Sequence, residues 1–222
     1  MVEVATSLLS ANEENIIRTL YDLEVAKTDY FHIDVMDGKF VEDDTTLKMR
    51  KYTEYIKSVS SLPVDVHLMV DDVEMYVESY LAMDVNCISF QIEACKKESE
   101  IPDIIAKIKE NNCKVGIAIS PKTTIDEILE YIPYIHKVTV MTVEPGKGGQ
   151  EFMQDMMEKV IDLNKYIYDN GYEVDIEVDG GINDKTAKEV IEAGANILVA
   201  GSYIVNSENY SLSINKLKQK EA

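Results

Sequence analysis

YFHIDVMDGKFVEDDTTLKMRKYTEYIKSVSSLPVDVHL, residues 30–68, carries the reading on which the fold turns. It opens on a short run, Tyr30–Val35, that is apolar or β-branched at most positions. An amphipathic stretch over Met49–Val59 follows, and a second short run, Val64–Leu68, closes the segment. Runs of this length, bounded by turn residues, read as strands, and the stretch between them has helical periodicity. A strand, a helix and a strand in that order form a right-handed crossover between parallel strands. The unit recurs on both sides of this segment. Further strand-like runs stand at Val2–Leu9, Cys87–Ile92, Lys114–Ile119, Lys137–Val143, Val174–Asp179 and Ile197–Ala200. Several are apolar almost throughout, as strands covered on both faces require. Helical spacing appears after Asn12 (Ile16, Ile17, Leu20, Leu23), over Val73–Leu81, over Ile101–Ile108, over Ile125–Ile132, over Met153–Ile167, over Ala187–Ile191 and over Leu212–Leu217. Asn12 is placed as an N-cap, and Pro102 falls where the first turn of a helix accepts it.

Eight such units in 222 residues predict a closed (β/α)8 barrel, a TIM barrel, with a doubly wound open sheet as its rival. No linker or low-complexity segment divides the chain, so residues 1–222 are read as one domain.

Composition narrows the function. Hydrophobic residues make up 45%, enough for a packed core. The formal net charge of −19 disfavours a nucleic-acid partner, which needs a basic footprint. It also means that any anionic ligand must be held by local donors rather than by a general positive field. The three cysteines, Cys87, Cys95 and Cys113, lack the spacing of a disulfide framework or a zinc knuckle. With no signal-like start and no membrane-length apolar run, a cytoplasmic location with no membrane partner is expected.

In a barrel of this kind the chemistry lies at the C-terminal ends of the strands. The second strand there carries His32 and Asp34, two apart and so on one face. The third carries Asp65 and His67 in the same relation, and the seventh carries Glu177 and Asp179. His32, Asp34, His67 and Asp179 could converge as a site for Zn²⁺, Mn²⁺, Fe²⁺ or Co²⁺. From the pattern alone the two histidines stand equally as ligands or as hydrogen-bonded core residues. His136 precedes the sixth strand at the opposite rim and reads as structural. A second signal is glycine at three neighbouring strand ends: PGKGGQ over Pro145–Gln150, then Gly180 and Gly181, then Gly201 with Ser202. Glycine lets backbone N–H groups approach an anion, and barrels often bind phosphate at the last of these loops.

Six segments, ATSLLSA (5–11), DYFHIDVMDGKFV (29–41), LPVDVHLMV (62–70), KVTVMTVEPGKGGQEF (137–152), IEVDGGIN (176–183) and AGANILVAGS (193–202), occur in this order along nearly the whole chain. Together they resemble the ribulose-phosphate 3-epimerase family, whose fold is a ribulose-phosphate-binding barrel. The resemblance implies epimerisation at C3 of D-ribulose 5-phosphate to D-xylulose 5-phosphate, a step of pentose phosphate metabolism. It implies one divalent metal held by His32, Asp34, His67 and Asp179. Asp34 would be the base on one face of the sugar and Asp179 the acid on the other. Ser7, His32 and His67 would contact the substrate, and Met36, Met69 and Met141 would cap the intermediate; read alone, these methionines are core filler. Gly146, Lys147, Gly148, Gly149, Gly180, Gly181, Gly201 and Ser202 would hold the phosphate. A homo-oligomer acting on a small sugar phosphate is the corresponding expectation for partners.

The chain departs from the family pattern in four places. Thr6 stands for a proline, Glu42, Asp43 and Asp44 for a Pro-Asn pair, Gln91 for a histidine, and Lys147 for an aromatic residue. None removes a ligand or an acid–base group, so they bear on substrate identity. DYFHID and Lys137–Val143 are also similar to the allulose-6-phosphate 3-epimerase branch, which makes a hexulose 6-phosphate the alternative substrate. A non-catalytic phosphosugar-binding barrel is the alternative of another class. Aldol or decarboxylation chemistry on a related barrel calls for a strand-borne lysine, and none stands at the ligand positions.

Overall fold

The computed structural model describes residues 2–219. Within them eight strands close in sequence order, every neighbouring pair parallel. They are β1 (Glu3–Ser7), β2 (Tyr30–Met36), β3 (Val64–Met69), β4 (Cys87–Gln91), β5 (Lys114–Ile119), β6 (Lys137–Met141), β7 (Asp175–Asp179) and β8 (Ile197–Ala200). The helices are α1 (Ile16–Val25), α2 (Thr46–Val59), α3 (Val73–Leu81), α4 (Glu100–Glu110), α5 (Met156–Asn170), α6 (Thr186–Ala193), α7 (Ser202–Val205) and α8 (Tyr210–Leu217). The parallel pairing of β8 with β1 closes the ring and excludes the open sheet. Asn12 does act as a cap: its side chain accepts from Glu14 N at 3.0 Å, opening a 3₁₀ turn that leads into α1.

One expected helix is absent. Ile125–Ile132 forms no α-helix; two single 3₁₀ turns, Ile125–Glu127 and Ile132–Tyr134, connect β5 to β6. Pro133 has no N–H to donate to Leu129 O and its ring crowds that turn, so an α-helix over this segment cannot be continued toward β6. The turns still bury Ile128, Tyr131 and Ile132 against the barrel. The eight-fold alternation of helices is thus broken at this position, and α7 is a short addition before α8.

Strand alternation separates two interiors. Phe31, Ile33 and Val35 of β2, Val66 and Leu68 of β3, and Ile88 and Phe90 of β4 face outward and make the main apolar core with the helices. The inward positions are largely polar: His32 and Asp34, Asp65 and His67, Ser89 and Gln91, Lys137 and Thr139, and Glu177, all buried. Ala5, Ile197 and Val199 form a small apolar cluster inside. A barrel whose lumen is lined by charges needs those charges matched, because an unpaired buried charge is costly.

Candidate active site

Register brings the polar residues to one level. Ser7 of β1 pairs with His32, Asp34 with His67, and Asp179 of β7 with Met141 on one side and Val199 on the other. Ring closure through β8 and β1 carries β7 round to β2. His32 Nε2 then lies 3.4 Å from Asp34 Oδ1 and 3.9 Å from Asp179 Oδ2. His67 Nδ1 lies 3.4 Å from Asp179 Oδ2 and 3.7 Å from Asp34 Oδ1. Ligand atoms of the four residues all fall within 4.8 Å of one another.

The outer face of each ring is spoken for. His32 Nδ1 donates to Asp65 Oδ2 at 2.8 Å; a carboxylate only accepts, so the proton sits on Nδ1. His67 Nε2 lies 3.1 Å from the Gln91 amide. The amide orientation that satisfies all neighbours points its oxygen at His67 and its nitrogen at Glu93 Oε2, 2.7 Å away, and at Ala118 O, 3.3 Å away. This leaves His32 Nε2 and His67 Nδ1 buried without a hydrogen-bond partner, both aimed at the two carboxylates. Orphaned imidazole nitrogens are rare in a packed interior. Two of them converging with two carboxylate oxygens fit a divalent cation, with outer groups fixing the tautomers as metal-binding histidines require.

Electrostatics support the same fit. Burial disfavours charge on both rings, but neighbouring carboxylates outweigh it: Asp34 and Asp65 hold His32 well above the usual histidine range, and Asp179 and Asp34 raise His67. Burial likewise opposes the Asp34 carboxylate, yet His32 and His67 hold its pKa far below the usual range. A site that draws protons onto imidazoles in this way draws a metal ion to the same lone pairs. The Ser7 hydroxyl donates to Asp34 Oδ2 at 2.6 Å and fixes the carboxylate plane.

Above the cluster opens a cavity of about 420 Å³, within the range for small-ligand sites. Ser7, Asp34, Met36, Met69, Met141, Asp179 and all eight residues named for phosphate line it. His32 and His67 lie beneath, fully buried. The methionines are lining as well as filler. Gly180 and Gly181 have φ of +121° and +66°, and a Cβ on Gly181 would sit 2.5 Å from Phe152 N. Thr142 Oγ1 donates to Gly180 O at 2.6 Å and ties this turn to the β6 end.

The departures from the family pattern resolve locally. Thr6 pairs with Thr28 through their hydroxyls at 2.7 Å, both buried. In the acidic loop, Asp44 Oδ1 accepts from Thr46 N, the first residue of α2, at 2.9 Å, while Glu42 is exposed and accepts from Lys147 Nζ at 3.3 Å. Lys147 borders the cavity, and this pair spans two loops at its mouth. His136 accepts from Val115 N at 3.0 Å, a structural role at the far rim. Sequence reading missed Gln91 as a partner of His67, Asp65 as the partner of His32, and the buried Lys137. The signal was present: polar side chains at inward positions of buried strands.

The model of the ribulose-phosphate 3 epimerase family matches residues 3–205. The chain belongs to that family. A ribulose-phosphate 3-epimerase of Methanocaldococcus jannaschii is 37% identical over 220 residues, covering 99% of this chain and 91% of the relative. One of Bacillus subtilis is 35% identical over 219 residues, covering 98% and 99%. Among solved structures, 3-hexulose-6-phosphate synthase from Salmonella typhimurium superposes with a TM-score of 0.68 at 14% identity, covering 98% of this chain and 97% of that one. KGPDC from Streptococcus mutans gives 0.69 at 13%, covering 99% and 96%. At such identities these two speak for the barrel alone. Family membership makes the protein an isomerase of the epimerase type, and the buried His/Asp group could hold its metal. No helix among the described residues is long and apolar enough to cross a membrane.

Proposed function

We propose that the protein interconverts D-ribulose 5-phosphate and D-xylulose 5-phosphate by removing and returning the proton at C3. The observation that carries this reading is the pairing of Asp34 and Asp179 about one buried pair of imidazoles at the floor of a glycine-rimmed cavity. Epimerisation needs two acid–base groups on opposite faces of one carbon. β2 and β7 are separated by β1 and β8, so their carboxylates approach the bound sugar from different sides.

Asp34, held ionised by His32 and His67, takes the C3 proton. Ser7 keeps the carboxylate oriented through its hydroxyl hydrogen bond. Asp179 delivers a proton from the other face. The enediolate between the two steps carries charge on two adjacent oxygens, and Met36, Met69 and Met141 keep water from it. The glycines after β6, β7 and β8, with Lys147 and Ser202, fix the phosphate and so position C3. His32, Asp34, His67 and Asp179 would hold one divalent ion, of which Zn²⁺, Mn²⁺, Fe²⁺ and Co²⁺ all suit the donor set. Bound there, the ion supplies Lewis-acid stabilisation on the order of several kcal/mol.

The test is exchange of the C3 hydrogen into deuterated solvent, followed by NMR with added Mn²⁺ or Zn²⁺. Asp34→Asn and Asp179→Asn should each lower exchange by at least about 10³-fold in folded protein. Substantial exchange in either variant removes the acid–base assignment. Running allulose 6-phosphate beside ribulose 5-phosphate tests the second reading, which the similarity of DYFHID and Lys137–Val143 to the allulose-6-phosphate 3-epimerase branch motivates. Binding of either sugar without exchange would leave a non-catalytic barrel. A cytoplasmic homo-oligomer belongs to the same proposal: Ile17, Tyr21 and Val25 make an exposed apolar stripe on α1. Sedimentation at the monomer mass would remove that part.

A further inference from the structure

Beneath the four-residue cluster lies a second buried one that the reaction above does not use. Lys137, at the first position of β6, points into the barrel with its side chain 5% exposed. Its Nζ donates to Asp65 Oδ1 at 2.6 Å and to Glu177 Oε2 at 2.7 Å. Thr139 Oγ1 donates to the other Glu177 oxygen at 2.8 Å. Asp65 Oδ2, in turn, accepts from His32 Nδ1 at 2.8 Å. The path therefore runs Glu177, Lys137, Asp65, His32, and ends on Nε2, the atom left without a partner.

Two further observations indicate that this lysine is accommodated by design of the lumen. Gly116 stands beside it, and a Cβ there would fall 3.0 Å from Lys137 Cγ and 2.1 Å from Ser89 Oγ. A side chain at position 116 would crowd the lysine stem and displace Ser89. Secondly, His32, Asp65 and Glu177 present ligand atoms within 4.8 Å of one another, the spacing of a metal site. The Lys137 ammonium lies against both carboxylates of that set. A metal ligand whose outer nitrogen is held by a carboxylate is more basic and better oriented, and that carboxylate is itself usually hydrogen-bonded.

We propose that Lys137 is a positioning residue for the metal ligand His32. It is a fixed internal cation that fills the place of a second ion and, through Asp65, locks the imidazole with Nε2 toward the upper cluster. The inference rests on the metal-site part of the proposed function. Without the ammonium, no cation lies between Asp65 and Glu177, and Asp65 loses the contact that holds it against His32 Nδ1.

The experiment is a Co²⁺ titration of the full chain without sugar, reading affinity by chelator competition and geometry by the visible absorption bands. The variants are Lys137→Met, Lys137→Arg, and Lys137→Met combined with Glu177→Gln, which removes one charge of each sign and spares the fold an unpaired acid. The double variant, folded by circular dichroism, should bind Co²⁺ about 10–100-fold more weakly with altered bands, and Lys137→Arg should retain most of the affinity. Wild-type affinity and bands in the folded double variant would overturn the proposal. So would failure of the double variant to fold, which would assign Lys137 to structure alone. His32→Asn separates the two levels. If it binds Co²⁺ as the wild type does, the metal site itself is misassigned; if only His32→Asn weakens binding, the site stands and the role of Lys137 falls.

Discussion

Gly181 has left-handed backbone, with φ of +66°, and the Phe152 backbone is packed where its side chain would be. Alanine there meets both problems together: strain on the order of 1–3 kcal/mol and a contact that only movement of the β6–α5 segment relieves. Gly181→Ala should raise KM for the sugar phosphate by at least about tenfold with a smaller effect on kcat, since the remote phosphate grip loses geometry before the acid–base pair does. Steady-state kinetics check this, and an unchanged KM would take Gly181 out of the phosphate site. At this scale much was legible. His32, Asp34, His67 and Asp179 stood out because polar residues at strand ends are conspicuous in apolar runs. Their outer partners were hidden. The bond from Lys137 to Asp65 spans 72 positions and depends on which inward side chains share a level. Period-two alternation reports the face of a strand, and it is silent on depth across the barrel.

Among the elements, the β5–β6 connection is where pattern and structure part. Ile125, Ile128 and Ile132 have helical spacing, and Thr124 with Glu127 forms a capping box. Those local signals bring about a single turn, since nucleating a helix is costly and Pro133 stops it from growing. What holds the segment instead comes from another element: Lys159 of α5 donates to Ser120 O, Pro121 O and Thr123 O at 2.9, 2.9 and 2.6 Å. Charged hydrogen bonds of this kind contribute about 1.5–3 kcal/mol when shielded, and less for a half-exposed group. Lys159→Met should therefore lower stability by about 1–2 kcal/mol. For a chain of this size that corresponds to a few degrees in Tm, at about 2–4 °C per kcal/mol. Hydrogen exchange should speed up first over residues 120–135. Equal protection in the variant would mean that burial of Ile128 and Ile132 suffices. The short α7 was equally invisible in sequence, because four residues are too few to establish a period.

For the whole molecule, the closed ring is what makes four separated residues a site. Three of the four proposed ligands come from β2 and β3, and the fourth comes from β7, two strands from β2 across β8 and β1. A cation bound by all four stabilises the closed barrel and has little affinity for an opened one. At about a hundredfold excess over Kd it should add about 2.7 kcal/mol, a rise in Tm on the order of 5–10 °C. Thermal melts with and without chelator measure this; coincident melts in protein that holds metal would mean that the ligands do not span the seam. The same seam gives the ion a second meaning for a growing chain. During synthesis β2 and β3 emerge long before β7, so a nascent chain holds an incomplete claw of two imidazoles and a carboxylate. The last ligand arrives with the strands that shut the ring. Capture of the proposed ion would then be the final stitch of folding, and a chain truncated before Asp179 would be left unfastened.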